Sequence, residues 1–293
     1  MIEQQLYKGT AGPSPIVKIS YVSKCGKTAE GLVILDSCCS DNALSSTFAD
    51  AAGVSFTEEG TEIYTLGDQM VAAKVGQFNF SIGEESFSEK FNIQKDTIFD
   101  YPIIGILGNV FMQKCNLVID YASRCVHNHP VTPATLRIAD CNFFFPMQIG
   151  LVNYGIPVVA MVDRNGKARV MMTDSGSTNN VITQDALVKS GFSFEKTGEK
   201  DTLTTIAGVS DSEIVIMDFN LVSSSESEAG TKNLFYRDVF QMVDLPYILS
   251  GHCSEDGIED PLGQDIDGVI GSAFMEKQGW VLDFGAKLVY QRR

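Results

Sequence analysis

Short runs of alternating apolar and polar residues dominate the chain. Ile16-Val17-Lys18-Ile19-Ser20-Tyr21-Val22 and Phe78-Asn79-Phe80-Ser81-Ile82 follow the period of a strand with one buried face. Ile214-Val215-Ile216-Met217-Asp218-Phe219-Asn220-Leu221 is a strand of the second half. Leu32-Val33-Ile34-Leu35 and Val170-Met171-Met172 are unbroken apolar runs, as expected of buried strands. Predicted helices are few and short. One covers Thr47 to Ala52 and stops at Gly53; another covers Gln184 to Ser190 and stops at Gly191. Asn109 to Lys114 and Ser272 to Lys277 are each expected to form one or two turns. Asn165-Gly166, inside Arg164 to Lys167, predicts a type I′ hairpin turn. Phe143 to Val162 carries no charge and is long enough to span a membrane. Pro146, Gly150, Asn153, Gly155 and Pro157 interrupt it, so it reads as two strands joined at Asn153-Tyr154-Gly155 and no membrane association is expected.

The pattern occurs twice. Leu32-Val33-Ile34-Leu35 ends in Asp36-Ser37-Cys38-Cys39, and Val170-Met171-Met172-Thr173 ends in Asp174-Ser175-Gly176-Ser177. Downstream, Gly105-Ile106-Leu107-Gly108-Asn109-Val110-Phe111-Met112-Gln113-Lys114 aligns without gaps over Gly268-Val269-Ile270-Gly271-Ser272-Ala273-Phe274-Met275-Glu276-Lys277. The register continues to Val118-Ile119-Asp120-Tyr121 over Val281-Leu282-Asp283-Phe284. Ser23-Lys24-Cys25-Gly26-Lys27 and Asp163-Arg164-Asn165-Gly166-Lys167 are turn-like and lead into the two Asp-Ser strands. A repeat of about half the chain predicts two related lobes, not a solenoid. The expected division is a first lobe over 1–128, a linker over 129–142 and a second lobe over 143–293. The loops 223–231 and 252–264 make the second lobe the more elaborated one.

Composition narrows the function classes. The chain has 293 residues, 44% of them hydrophobic, and a formal net charge of −15. No basic stripe is present, so a nucleic-acid partner is not expected. The seven cysteines (25, 38, 39, 115, 125, 141, 253) form no Cys-x-x-Cys pair. The histidines at 127, 129 and 252 share no ligand spacing with them, so no metal site is expected. Met1-Ile2-Glu3-Gln4-Gln5 lacks the basic start and apolar core of a signal peptide, and reduced thiols in a cytoplasmic setting are the default.

An aspartate ending a buried strand in each of two related halves can build a paired-carboxylate site. An isolated Asp-Ser reads as a turn or helix cap; the paired copies with matching downstream glycines favour a site. Asp120 and Asp283 read as turn residues, Phe111, Met112, Phe274 and Met275 as core, and Cys38-Cys39 as small buried apolar residues. A cysteine nucleophile lacks a histidine whose spacing commits it as base. No Gly-x-Ser-x-Gly elbow supports a serine hydrolase.

Apolar-apolar-Asp-Ser-Gly-Ser, a Gly-containing hairpin, then apolar-apolar-Gly and a short helix resembles the aspartic peptidases, as either the two-lobed pepsin type or a tandem of retropepsin-like domains. The Gly-Ile-Leu-Gly-x-x-Phe pattern at 105–111 is closer to the retropepsin-like side. The resemblance spans nearly the whole chain. It implies an all-β fold of two retropepsin-like lobes with a cleft between them, and catalytic Asp36 and Asp174. Ser37, Cys38, Ser175, Gly176, Ser177, Gly108 and Gly271 would support the active-site loops. Hairpins carrying Thr65 and Gly67, and Thr205 and Gly208, would be flaps over an extended peptide. No cofactor is implied; the partner is a peptide or protein substrate, and a monomer supplies both aspartates. Cys38 departs from the pattern, standing where the family has glycine. It is expected to narrow the cleft, tilt Asp36 or raise its pKa. Two functions stay open: an aspartic endopeptidase, and a catalytically silent relative that binds peptides in the same cleft.

Overall fold

A computed structural model describes residues 1–7, 12–64, 70–94, 102–128, 141–146, 156–163, 166–205, 208–223, 232–248 and 265–292. The first half runs β1 (Glu3–Gln5), β2 (Ile16–Val22), β3 (Thr28–Asp36), β4 (Ala43–Ser45), α1 (Ser46–Ala52), β5 (Ser55–Tyr64), β6 (Met70–Ile82), β7 (Glu85–Gln94), β8 (Ile103–Gly108), α2 (Asn109–Lys114), β9 (Val118–Asp120) and β10 (Cys125–His127). The second runs β11 (Cys141–Pro146), β12 (Val158–Val162), β13 (Ala168–Asp174), β14 (Asn180–Thr183), α3 (Gln184–Lys189), β15 (Ser193–Thr205), β16 (Gly208–Ser223), β17 (Lys232–Val243), β18 (Ile266–Gly271), α4 (Ser272–Gln278), β19 (Trp280–Asp283) and β20 (Leu288–Arg292). The architecture is all-β.

Each half builds a seven-stranded sheet in the same order, β2-β3-β8-β4-β7-β6-β5 and β12-β13-β18-β14-β17-β16-β15. In β2 the pattern is legible directly: Ile16, Val17 and Ile19 are buried while Lys18 is exposed. β3 lies parallel to β8, with Asp36 opposite Gly108; β13 lies parallel to β18, with Asp174 opposite Gly271. A parallel pair needs its connection to cross over, and here the crossover carries the hairpin β5–β6 or β15–β16. A third sheet, β1-β10-β9-β19-β20-β11, takes three strands from each half. Its seam is the β9–β19 pair, with Ile119 opposite Leu282. Tyr121 N–H donates to the Trp280 carbonyl and Phe284 N–H to the Leu117 carbonyl, so the seam is bonded beyond its short strands. The main apolar core runs through both halves and includes Leu35, Phe111, Met171, Phe274 and Trp280.

The local signals mostly act as their chemistry dictates. Ser45 Oγ accepts from Phe48 N–H to start α1, and Gly53 at φ +75° ends it. Thr183 starts α3 the same way through Ala186 N–H. The expected glycine stop at 191 is corrected: α3 ends in Ser190, which is extended at φ −90° and ψ 156°. Ser190 N–H closes on the Ala186 carbonyl and its hydroxyl donates to the Leu187 carbonyl, so Gly191 is not needed as the stop. The type I′ expectation rests on Asn165, which with Arg164 lies outside the described residues. Around it, Asp163 N–H bonds the Lys167 carbonyl and Gly166 N–H the Asp163 carbonyl, with Gly166 at φ +77°. Ser23 to Lys27 repeats this with Gly26 at φ +78°. The two strands of 143–162 enter different sheets: β11 pairs β20 and β12 pairs β13. Their junction at 153–155 lies outside the described residues. No helix among the described residues is long and apolar enough to cross a membrane.

Candidate active site

Asp36 and Asp174 end β3 and β13, each flanked by strands on both sides in its sheet. Each carboxylate is tied to its own loop. Asp36 Oδ1 accepts from the amides of Cys38 and Cys39, both at 2.9 Å. Asp174 Oδ1 accepts from Gly176 at 2.9 Å and Ser177 at 3.1 Å. The two carboxyls lie within hydrogen-bonding reach of one another.

Ser37 and Ser175 lock the two loops together. Both are fully buried. Ser37 Oγ accepts from Ser175 N–H at 2.8 Å and donates to the Thr173 carbonyl at 2.5 Å. Ser175 Oγ accepts from Ser37 N–H at 2.9 Å and donates to the Leu35 carbonyl at 2.6 Å. Four bonds thus join two loops far apart in sequence, and each hydroxyl uses its donor and one acceptor.

Gly108 and Gly271 stand behind the loops. A Cβ on Gly108 would lie 2.4 Å from the Asp41 carbonyl oxygen and 2.6 Å from that of Cys39; one on Gly271 would lie 2.4 Å from that of Asn179. The strand can pass this close only without a side chain. Gly176 serves a different approach: a Cβ there would lie 2.5 Å from the Asp36 carboxyl carbon.

Cys38 occupies the place in the first loop that Gly176 has in the second. Its thiol points to the Thr173 carbonyl oxygen at 3.5 Å and packs on an apolar cluster of the second half that contains Ile156, Val158, Met172 and Val269. The side chain is absorbed by the opposite lobe, and the carboxyl pair remains within hydrogen-bond reach. Cys39 Sγ donates to the Asp41 carbonyl.

The electrostatics follow from burial. Desolvation raises the Asp174 carboxyl well above the ordinary carboxylate range, and the Asp36 charge raises it further. Desolvation also raises Asp36, but the amides of Cys38 and Cys39 and the bond from Asp174 hold it down. The two carboxyls therefore titrate as a pair that shares a proton. Burial, with Asp174 and Asp36 nearby, pushes the Cys38 thiol far up; burial and the Asp36 charge do the same to Cys39. Both thiols stay protonated, which disfavours either as a nucleophile.

Of the flap residues, Thr65 and Gly67 lie outside the described residues. Thr205 pairs with Gly208 at the end of the β15–β16 hairpin, and Thr205 Oγ1 donates to the Gly208 carbonyl at 3.2 Å. Leu203 of this hairpin packs on the same apolar cluster as Cys38, which brings β15 to the cleft wall.

Two asparagines escaped the sequence reading. Asn42 Oδ1 accepts from Gly108 N–H at 3.0 Å, and Asn180 Oδ1 from Gly271 N–H at 2.9 Å. Each recurs at the same offset from its aspartate (36 to 42, 174 to 180), a signal that was present in the repeat. Pro15 and Pro157 are a second missed pair; their carbonyls accept from Leu35 N–H and Thr173 N–H.

No protein-family model and no curated protein matches the chain. Among solved structures, the aspartic proteinase from Irpex lacteus is similar over 98% of this chain and 96% of that one, with a TM-score of 0.54 and 13% identity. At that identity the likeness is one of fold, and the chain has the two-lobed, all-β fold of an aspartic proteinase.

Proposed function

We propose that the chain is an aspartic endopeptidase, hydrolysing peptide bonds with a water activated between Asp36 and Asp174. The observation that carries this is the carboxyl pair itself: two neighbouring buried carboxyls, each held by two loop amides, in a fold that an aspartic proteinase also has. Asp36, whose loop amides favour its charge, draws a proton from the water as its oxygen attacks the peptide carbonyl. Asp174 donates its proton to the carbonyl oxygen. The resulting tetrahedral diol collapses as the nitrogen is protonated, releasing an amine and a carboxylic acid. Ser37 and Ser175 hold the carboxyls in register, and Gly108, Gly271 and Gly176 leave room for the loops. In this reading Thr205 and Gly208, with Thr65 and Gly67 of the first half, close over an extended peptide, and one chain, retropepsin-like in each half, supplies the whole site.

The second reading is a catalytically silent peptide binder, favoured by the side chain that Cys38 adds beside the pair. Digestion of a diverse peptide mixture from acid to neutral pH, read by mass spectrometry, separates them. The peptidase cuts, with activity falling on both sides of an optimum as the pair gains its second proton or loses its only one. Peptides bound but uncut at every pH would establish the silent binder.

A further inference from the structure

The two halves wall the carboxyl pair unequally. The strand registers make each position of one wall comparable with one of the other. Asn42 and Asn180 are equivalent, so Ala43 matches Val181. Ser45 lies opposite Gln94 as Thr183 lies opposite Val243, so Gln94 matches Val243. Pro15 and Pro157 make the same bond to the Asp-Ser strand, so the preceding residues, Ser14 and Ile156, match.

The second wall is bulky and apolar: Ile156, Val181 and Val243 pack in one cluster with Cys38 and Leu203. At matched positions the first wall has Ser14, Ala43 and Gln94, and the facing loop has Gly176 where the other has Cys38. Ser14, Ala43 and Gly176 are smaller than their counterparts, and Ser14 and Gln94 are polar where the second wall is apolar. Ser212, opposite Val243, brings one short hydroxyl to the second wall, and the side-chain amide of Gln241, two residues along β17, donates to Asp201 and the Thr202 carbonyl. Ser14 marks where the first wall meets the pair: its hydroxyl donates to the Gly176 carbonyl at 3.4 Å, and Gly176 lies against Asp36. Gln94 is 4% exposed, and its Nε2 has no hydrogen-bond partner. A buried amide donor without a protein partner is rare in a folded protein, and a bound acceptor would satisfy it.

We infer that Gln94 is a specificity-determining residue: the first-lobe wall takes a substrate side chain bearing a carbonyl acceptor, glutamine or asparagine, while the second-lobe wall takes a compact aliphatic one. The peptide then carries unlike residues on the two sides of the scissile bond. This rests on the proposed cleft function and names its substrate class.

The test uses the full chain and a peptide library randomised on both sides of the cut. Wild type is expected to favour an amide side chain on one side and an aliphatic on the other. Gln94→Val, which copies Val243, is expected to cut the preference for glutamine over leucine at that site by about tenfold, the loss of one hydrogen bond in a buried site. Gln94→Glu, of the same shape, is expected to disfavour acceptor-bearing side chains there and admit donor-bearing ones. Cleavage by wild type with the same aliphatic preference on both sides overturns the inference and leaves the peptidase standing; so does an unchanged ratio in Gln94→Val. If wild type cuts nothing, the peptidase reading fails, and competition binding of paired glutamine and leucine peptides replaces cleavage. A glutamine preference that Gln94→Val removes supports the inference; equal affinities or no binding overturn it.

Discussion

The Cys38 thiol and the Thr173 carbonyl oxygen meet at 3.5 Å across the boundary between the lobes. This contact decides how the departure from glycine in the first loop is read. The thiol is held on the second lobe's apolar wall, so it need not disable the pair. Cys38→Gly is predicted to cost about 1 kcal/mol of stability, from the added freedom of glycine in the unfolded chain. It is predicted to change kcat/KM by less than about tenfold, within about 1.4 kcal/mol of barrier. Steady-state kinetics beside chemical denaturation check both. A gain of a hundredfold or more would instead mean that the natural chain is silenced at Cys38.

Ser37 and Ser175 form a closed exchange of four bonds, so either alanine variant strands two buried backbone groups in the facing loop. Ser37→Ala and Ser175→Ala are each predicted to cost about 2–4 kcal/mol in urea denaturation, from lost bonds and unsatisfied partners. The double variant is predicted to cost less than the sum, because the two residues share their bonds. Strict additivity would show that the exchange is not a unit.

The carboxyl pair also predicts the pH dependence of stability. Burial raises both folded values above those of the unfolded chain. The stability they contribute is therefore fully present below about pH 4, the ordinary carboxylate value, and is lost as pH rises through the folded values. Asp174→Asn cannot ionise at that position, so its unfolding midpoint should rise relative to wild type as pH goes from acid to neutral. Thermal melts across that range test this; a difference that shrinks with rising pH contradicts a raised folded value for the pair.

Gly108→Ala and Gly271→Ala each drive a methyl group into backbone carbonyls of the loop in front. Backbone cannot step aside as a side-chain tip can, so each is predicted to cost about 3 kcal/mol and to lower activity with it. A loss below about 1 kcal/mol in the denaturation midpoint would mean that the loops have more room than the strand register indicates.

The sequence shows most clearly what is repeated and local. Asp36 and Asp174 end apolar runs, and Gly108 and Gly271 fall at matching offsets, so the strands, the two halves and the pair are legible in the residues alone. The six-stranded sheet is not. β1, β9 and β10 are three residues each, too short to show a period of two, and their partners are set by how the halves dock. Asn42 and Asn180 are visible in the repeat, yet an asparagine after a turn ordinarily reads as loop chemistry. Only the course of β8 and of β18 behind the loop of its own half shows that each satisfies a buried amide. The unlike walls around the pair lie beyond a reading of likeness, because they arise where the repeat diverges.

The central claim is that Asp36 and Asp174 act together on one water. The most direct measurement is kcat/KM for a single cleaved peptide with wild type, Asp36→Asn and Asp174→Asn side by side at the wild-type optimum, with folding of each variant checked by its melt. The account predicts that wild type cuts and that each substitution lowers kcat/KM at least about a thousandfold, since neither carboxyl can do the other's task. Cleavage by either variant within about tenfold of wild type would contradict it, because the activity would then not need the pair.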